Sequence, residues 1–196
     1  MCRNQTAVNY IMQQLKGFKP EFVKCVIRCF EFIDSIQQPD GCLSNSVALY
    51  ICAKEFGYRP KLCYGLCELE GMSFYHVWLE VDNVIIDMSI YGNVNFSPIV
   101  RMFCQKTLDT PYIGTYEDGV ITYGRFRFDE DWGTAAISQM EGLTFEQYMD
   151  AAPNDEMWWM TCRFLNERPV RKTIRHLRTL IKKDVIQPEE PLVSSS

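Results

Sequence analysis

GCLSNSVALYICAKEFGYRP (residues 41–60), SFYHVWLEV (73–81) and VIIDMSI (84–90) decide how this chain is read. The first stretch opens on Gly41-Cys42 and continues as a helix-like run over 43–56. Val47, Ala48, Ile51 and Cys52 lie on one side of that run, and Gly57 is placed to cap its end. The other two stretches read as strands separated by Asp82-Asn83, short enough for a tight hairpin. With two turn residues, Val81 pairs with Val84, so 76 falls opposite 89 and 78 opposite 87. His76 and Asp87 are then diagonal neighbours on one face of adjacent strands. A thiol at a helix start, an imidazole on a strand and a carboxylate on the next strand have the makings of a cysteine triad.

The residue types suit that chemistry. The thiolate, not the thiol, is the nucleophile, and the free amides and dipole of a helix start favour the anion. An adjacent imidazole takes the proton and later returns it to the leaving group. A carboxylate on the far ring nitrogen fixes the tautomer and steadies the imidazolium. Gly41 allows an unusual backbone angle or a close approach just before the nucleophile. The chain has two histidines, His76 and His176, and only His76 lies among β-type residues just upstream of an acid. Cys42, His76 and Asp87 are therefore the candidate catalytic residues. Gln37 and Gln38, just before Cys42, are candidate oxyanion donors beside the Cys42 amide, as a Gln upstream of the Cys is in papain-like enzymes. Trp78 shares the face of His76 and is a candidate to contact substrate, shield the imidazole or pack.

The pattern GCLSNSVALYICAKEFGYRP, then HVWLEVD, then IIDMS resembles the transglutaminase-like superfamily of cysteine enzymes. The short spacings from Cys42 to His76 to Asp87 look most like small bacterial members, such as the leader peptidases of lasso-peptide biosynthesis. The resemblance covers roughly residues 39–91. It implies an α+β fold with a transglutaminase/papain-like core, in which the Cys-bearing helix packs on an antiparallel sheet and extra helices lie at both ends. It also implies acyl transfer at an amide bond of a peptide or protein, as protease, deamidase or transglutaminase. Two other readings use the same fold: an interaction protein with an inert triad, and an acyl-CoA-dependent N-acyltransferase. No CoA-phosphate motif is evident, and no cofactor is implied.

With 196 residues, one domain over 1–186 is expected, with a helical part over about 144–186 and a disordered tail at 187–196. Apolar residues at 47% and charged residues at 23% suit a soluble globular protein. A net charge of −5 makes no global case for nucleic acid. The N-terminal stretch is a poor signal peptide, and no apolar run is long enough to span a membrane. Nine cysteines, an odd number without an export signal, point to free thiols in a cytoplasmic setting. Cys25, Cys29, Cys63 and Cys67 have spacings that a four-thiolate zinc site uses, but Cys is among the most buried residue types, so burial without a metal is expected.

Elsewhere, helices are expected over 7–15, 20–36, 99–107, 144–150, 155–167 and 169–185. Strands are expected over 61–68 and 120–128, and a loop over 93–98. Thr144 with Gln147 makes a capping signal. Asp129, Glu130 and Asp131 read as a solvated acidic cluster. Met157, Trp158, Trp159 and Met160 form an apolar block, either a core cap or a substrate wall. Arg168, Arg171, Lys172, Arg175, Arg178, Lys182 and Lys183 form a basic stripe on the last helix. That stripe is a solvated face or a docking surface for an acidic protein.

Overall fold

The computed structural model describes residues 4–116, 119, 121–124 and 142–186. The fold is α+β. The chain opens with α1 (Gln5–Gln14), α2 (Pro20–Ile36) and α3 (Cys42–Glu55). Then come β1 (Lys61–Leu69), β2 (Met72–Val81) and β3 (Val84–Asp87), followed by α4 (Ser89–Phe96) and α5 (Pro98–Phe103). Two short strands, β4 (Tyr112–Gly114) and β5 (Thr122–Tyr123), complete an antiparallel sheet in the order β4-β3-β2-β1-β5. After α6 (Phe145–Ala151) and a 3-10 turn, α7 (Glu156–Leu165) and α8 (Arg171–Ile181) close the described chain.

Local chemistry accounts for most of these elements. Pro20 starts α2, where a missing N–H costs nothing, and Phe22, Val26, Phe30 and Ile33 recur on its buried face. Helix α3 ends in a Schellman motif: Tyr58 N–H reaches the Ala53 carbonyl (3.0 Å), Gly57 N–H reaches Lys54 (2.9 Å), and Gly57 takes φ +82°. Asp82 and Asn83 both adopt positive φ (52° and 62°), the conformation of a two-residue hairpin turn. Glu70-Gly71 does the same between β1 and β2 (52° and 80°). Thr144 and Gln147 form the reciprocal capping box at the start of α6.

Helix α3 is the hub. Asn45 to Leu49 and Ile51 to Ala53 are all buried, so this helix has no solvated stripe. One core cluster joins α1, α2 and α3 to Leu79, Val81 and Ile86 of the sheet. A second joins Val47 and Ile51 of α3 to α6, α7 and α8. A third lies on the other sheet face, around Cys63, Cys67, Trp78 and Tyr123. Cys25 and Cys29 belong to the first cluster and Cys63 and Cys67 to the third, so the two cysteine pairs sit in separate parts of the core.

Several boundaries differ from the sequence reading. Strand β3 stops at Asp87 instead of running to 90, and residues 89–96, read as strand end and loop, form α4. The cause is Asp87 itself. Its Oδ1 accepts the Ile90 N–H (3.0 Å), which turns the chain out of the ladder and into a helix. Ser89 to Val94 are all buried, so α4 lacks the one-sided apolar pattern that reveals a helix in sequence. The helix expected over 99–107 is the shorter Pro98–Phe103, and that expected over 169–185 is Arg171–Ile181. Of the strand expected over 120–128, Thr122 and Tyr123 are in β5. Residues 125–128, the acidic cluster 129–131 and the tail 187–196 lie outside the described residues. Within the basic stripe, Arg178 is bound internally to Glu146 and Asp150 and stacks on Trp158, 4.9 Å from the ring centre. His176 is exposed and pairs with Glu55 (2.7 Å). Among the described residues, no helix is long and apolar enough to cross a membrane.

Gly92 shows how α4 is fitted to the rest. A Cβ there would lie 2.4 Å from the Gln38 carbonyl oxygen and 2.9 Å from Ile33 Cγ2. The helix therefore rests directly on the backbone that leads to Cys42. Gly92→Ala is expected to lower unfolding free energy by about 1–3 kcal/mol, the usual cost of overpacking a tight contact. Urea unfolding at constant m-value would show it; an unchanged midpoint would mean that the contact yields freely.

Candidate active site

Cys42 is the first residue of α3. Gln37, just after α2, is in the left-handed region (φ 51°), and Asp40 is left-handed too (φ 53°), so the five residues 37–41 reverse the chain into α3. Gly41 has φ −93°, which any residue can adopt. Its requirement is space: a Cβ would lie 2.7 Å from Gln38 Cδ and Nε2 and 2.8 Å from Asn45 Nδ2. Among the described residues no side chain caps the start of α3, where the N-cap is Gly41, so its first amides stay available beside the thiol.

His76 comes from β2, opposite Gly65 of β1, and is buried. The β2–β3 ladder runs Val81↔Val84, Glu80↔Ile85, Leu79↔Ile86, the register that the hairpin turn predicts. Because β3 stops there, the 76–89 pairing does not form and the edge of β2 at His76 and Val77 is open. The first turns of α3 occupy it. The Val77 amide donates to the Cys42 sulfur, and Ser46 Oγ donates to the Val77 carbonyl (3.3 Å). The truncation of β3 is thus what lets the thiol meet the imidazole.

His76 Nε2 and Asp87 Oδ2 are 2.7 Å apart, with both side chains wholly buried. Asp87 also accepts from Tyr123 Oη on Oδ2 (2.8 Å) and from Ile90 N–H on Oδ1 (3.0 Å). Asn93 Nδ2 lies 3.2 Å from His76 Nδ1, and Asn93 Oδ1 accepts the Asp40 N–H (2.9 Å), which fixes which way the amide points. Burial opposes charge on His76, but Asp87, by charge and hydrogen bond, and then Cys42 carry its pKa up to about 10. Burial likewise pushes the Cys42 thiol up, yet the hydrogen bond and charge of His76, helped by the Val77 amide, leave it below its ordinary value. Asn93 pulls the other way, since its N–H is satisfied only by an unprotonated Nδ1. Hydrogen bonds with an ionised partner are roughly twice as strong as neutral ones, and the shifts of both His76 and Cys42 run toward the ion pair.

Five other cysteines differ. Burial raises Cys29, Cys52 and Cys67, and raises Cys162 to about 11. Cys25 is lowered, through its hydrogen bond with Cys52, but is buried in the core, whereas Cys42 is only half-buried.

The remaining sequence candidates separate. Gln37 is exposed at the end of α2. Gln38 folds over Gly41: its Oε1 accepts from Asn45 Nδ2 (3.1 Å), and its Nε2 lies close over Gly41, 2.7 Å from where a Cβ would sit. Asn45 also donates to Ser89 Oγ (3.1 Å), which donates on to the Gly41 carbonyl (3.4 Å). Trp78, offered above as a substrate contact, is fully enclosed. It packs edge-on against Tyr123 (5.0 Å between ring centres), and its indole N–H donates to Tyr116 Oη (3.3 Å). It supports Tyr123 and presents no free face to a substrate. Asn93, Tyr123, Asn45 and Ser89 were not legible as site residues. Asn93 and Tyr123 reach the His–Asp pair across 17 and 36 positions, with no local pattern to mark them.

Residues 7–101 match the family model described as "Transglutaminase-like superfamily", a superfamily composed in general of cysteine enzymes. The matched segment runs from α1 into α5 and contains Cys42, His76, Asp87 and Asn93. No curated protein and no solved structure matches the chain.

The opposing pull of Asn93 is measurable. Asn93→Ala removes a donor that favours the neutral ring and leaves the Asp40 N–H without its partner. The thiol of Cys42 is then expected to titrate at lower pH, while stability falls by about 1–3 kcal/mol for the orphaned donor. Alkylation rate against pH gives the first quantity and urea unfolding the second. A thiol midpoint moved upward would show that Asn93 supports the imidazolium instead.

Proposed function

We propose that this chain is a cysteine-dependent acyl-transfer enzyme that acts on amide bonds of a peptide or protein through Cys42, His76 and Asp87. One observation carries the reading: a wholly buried His76–Asp87 pair at 2.7 Å whose imidazole also meets a thiol at an uncapped helix start. Burying a carboxylate and a histidine together is costly unless they are well paired, and a structural role would be served as well by apolar side chains.

In this reading the Cys42 thiolate adds to the amide carbonyl carbon. The carbonyl oxygen takes the negative charge and is held by the Cys42 amide and by Gln38 Nε2, the glutamine whose carbonyl end is already anchored by Asn45. His76, protonated on the Cys42 side, gives its proton to the departing nitrogen, and the C–N bond breaks to leave a thioester. Water or an amine then enters. His76 takes its proton, the C–S bond breaks, and the thiolate–imidazolium pair returns. Asp87 keeps Nε2–H pointed at itself, so the other ring nitrogen always serves the reaction. Tyr123 and the Ile90 amide hold the carboxylate in place.

Limiting iodoacetamide at about pH 6 is expected to label Cys42 first, because its thiolate persists below the ordinary thiol value near 8.5. The sign follows from the two shifts: the ion pair forms as pH rises through the lowered Cys42 value and is lost only as His76 deprotonates near 10. His76→Ala should move labelling to higher pH. Asp87→Asn should keep the fold and cut turnover by orders of magnitude. Mass spectrometry of a peptide library incubated with wild type and Cys42→Ala reads cleavage, one-dalton deamidation or cross-linking directly. If Cys42 labels no faster than the other cysteines at any pH, the nucleophile is misassigned, and a non-catalytic interaction protein becomes the better reading.

A further inference from the structure

A groove of about 930 Å³ is lined by Gln38 and Ser44, which flank Cys42 in sequence, and runs between the end of α2 and the outer face of α7. Its walls carry large apolar side chains that no part of the described chain covers. Ile36, the last residue of α2, is 53% exposed, and Trp159 of α7 is 55% exposed. Phe32 and Met157 line the groove as well. The apolar block at 157–160 is therefore split. Trp158 is buried, with its indole N–H given to Asp150 (2.8 Å), and anchors α7, while Trp159 faces outward into the groove. An aromatic and an aliphatic side chain left in water on the walls of one groove mark a binding surface more than a packing defect.

We infer that this groove holds the acyl side of the substrate, as an extended peptide segment with a bulky apolar side chain set against Ile36 and Trp159. The inference rests on the acyl-transfer reading above and adds its specificity. The leaving nitrogen must face His76, which supplies its proton. None of the residues that line the groove belongs to β2, β3 or α4, the elements that carry His76, Asp87 and Asn93. The leaving group therefore departs on the sheet side, and the part that stays esterified to Cys42 lies on the helical side, where the groove is. Its volume is at the upper end of what a drug-sized ligand fills and exceeds the needs of a small acyl group, so several peptide residues are the fitting occupant. The rim carries Glu156 and Glu167 with Arg163 and Arg168, charges of both signs that select neither an acidic nor a basic peptide. Helix α7 lies beyond the matched segment 7–101, so this wall belongs to the chain's own C-terminal part.

Binding can be tested without catalysis. Cys42→Ala chain labelled with ¹⁵N is titrated with acetylated tripeptide amides whose central residue is Phe, Ala or Asp. The indole N–H signal of Trp159 is expected to shift at concentrations about tenfold lower for the Phe peptide than for the Asp peptide, the order of discrimination an apolar pocket supplies. Trp159→Ala and Ile36→Ser, both at exposed positions, should weaken the Phe peptide about fivefold or more, the loss of one good apolar contact. On wild type, peptidyl acyloxymethyl ketones with the same residues should label Cys42 with the same preference. Trp159→Ala should erase that preference while iodoacetamide labelling stays unchanged. Equal shifts for all three peptides, or none, overturn the groove assignment, as does a preference that survives Trp159→Ala. Trp159-dependent dimerisation without peptide shifts would make a second copy the occupant and overturn it too. The two readings fail separately: peptide binding to Cys42→Ala without selective iodoacetamide labelling of wild type would remove the nucleophile and keep the groove.

Discussion

The contact between His76 and Asp87 is the constraint that the rest of the structure serves. Two ionisable side chains with no exposure to water must be compensated on every polar atom, or the fold loses several kcal/mol. Each compensating group comes from a different place. Tyr123 Oη comes from β5, three strands from β3 in the sheet order, and reaches Asp87 because the sheet curls as a half-barrel. The Ile90 amide comes from α4, which starts where it does because Asp87 captures that amide. Asn93, one turn further along α4, covers the imidazole nitrogen that Asp87 does not. Trp78 and Tyr112 pack on Tyr123 and hold it there. A sheet edge, a helix start and part of the core are thus arranged around one hydrogen bond.

The thiol is brought to this pair by a second set of close contacts. Gly41 and Gly92 are glycines because backbone and amide groups occupy the space a Cβ would need. The first forces Gln38 and Asn45 against the start of α3, and the second seats α4 on the Gln38 carbonyl. The chain Asn45–Ser89–Gly41 then ties the helix start to the element that follows Asp87. Asn45 Oδ1 is buried without a partner among the described protein groups, the kind of polar vacancy that concentrates where function outweighs stability. Position and electrostatics are coupled here: the amides and the imidazole that stabilise a thiolate are the groups that locate the sulfur.

The C-terminal helices add what the sheet and α3 lack. Helices α6, α7 and α8 close a core cluster against α3, with Trp158, Asp150 and Arg178 bound to one another. That anchoring leaves the opposite side of α7 free to form a wall of the groove that Ile36 and Trp159 line. The arrangement separates a polar, sheet-borne side around His76 and Asp87 from an apolar, helix-borne side along α7.

The sequence by itself determined the elements whose causes are local. Pro20 and an apolar face mark α2, Gly57 ends α3, two turn residues set the β2–β3 register, and Thr144 with Gln147 caps α6. It also marked Cys42, His76 and Asp87, since a hairpin of known register puts the last two within reach of one another. Tertiary structure decided what depends on burial from all sides and on distant partners. Helix α4 has no amphipathic pattern because both its faces are covered, so alternation carried the strand reading too far. Asn93 and Tyr123 look like ordinary residues until folding sets them against the His–Asp pair. Trp158 and Trp159 are identical neighbours in sequence, and only the packing of α7 buries one and exposes the other. Local periodicity reports which way a side chain points along its own element; what it meets there is fixed by elements elsewhere in the chain.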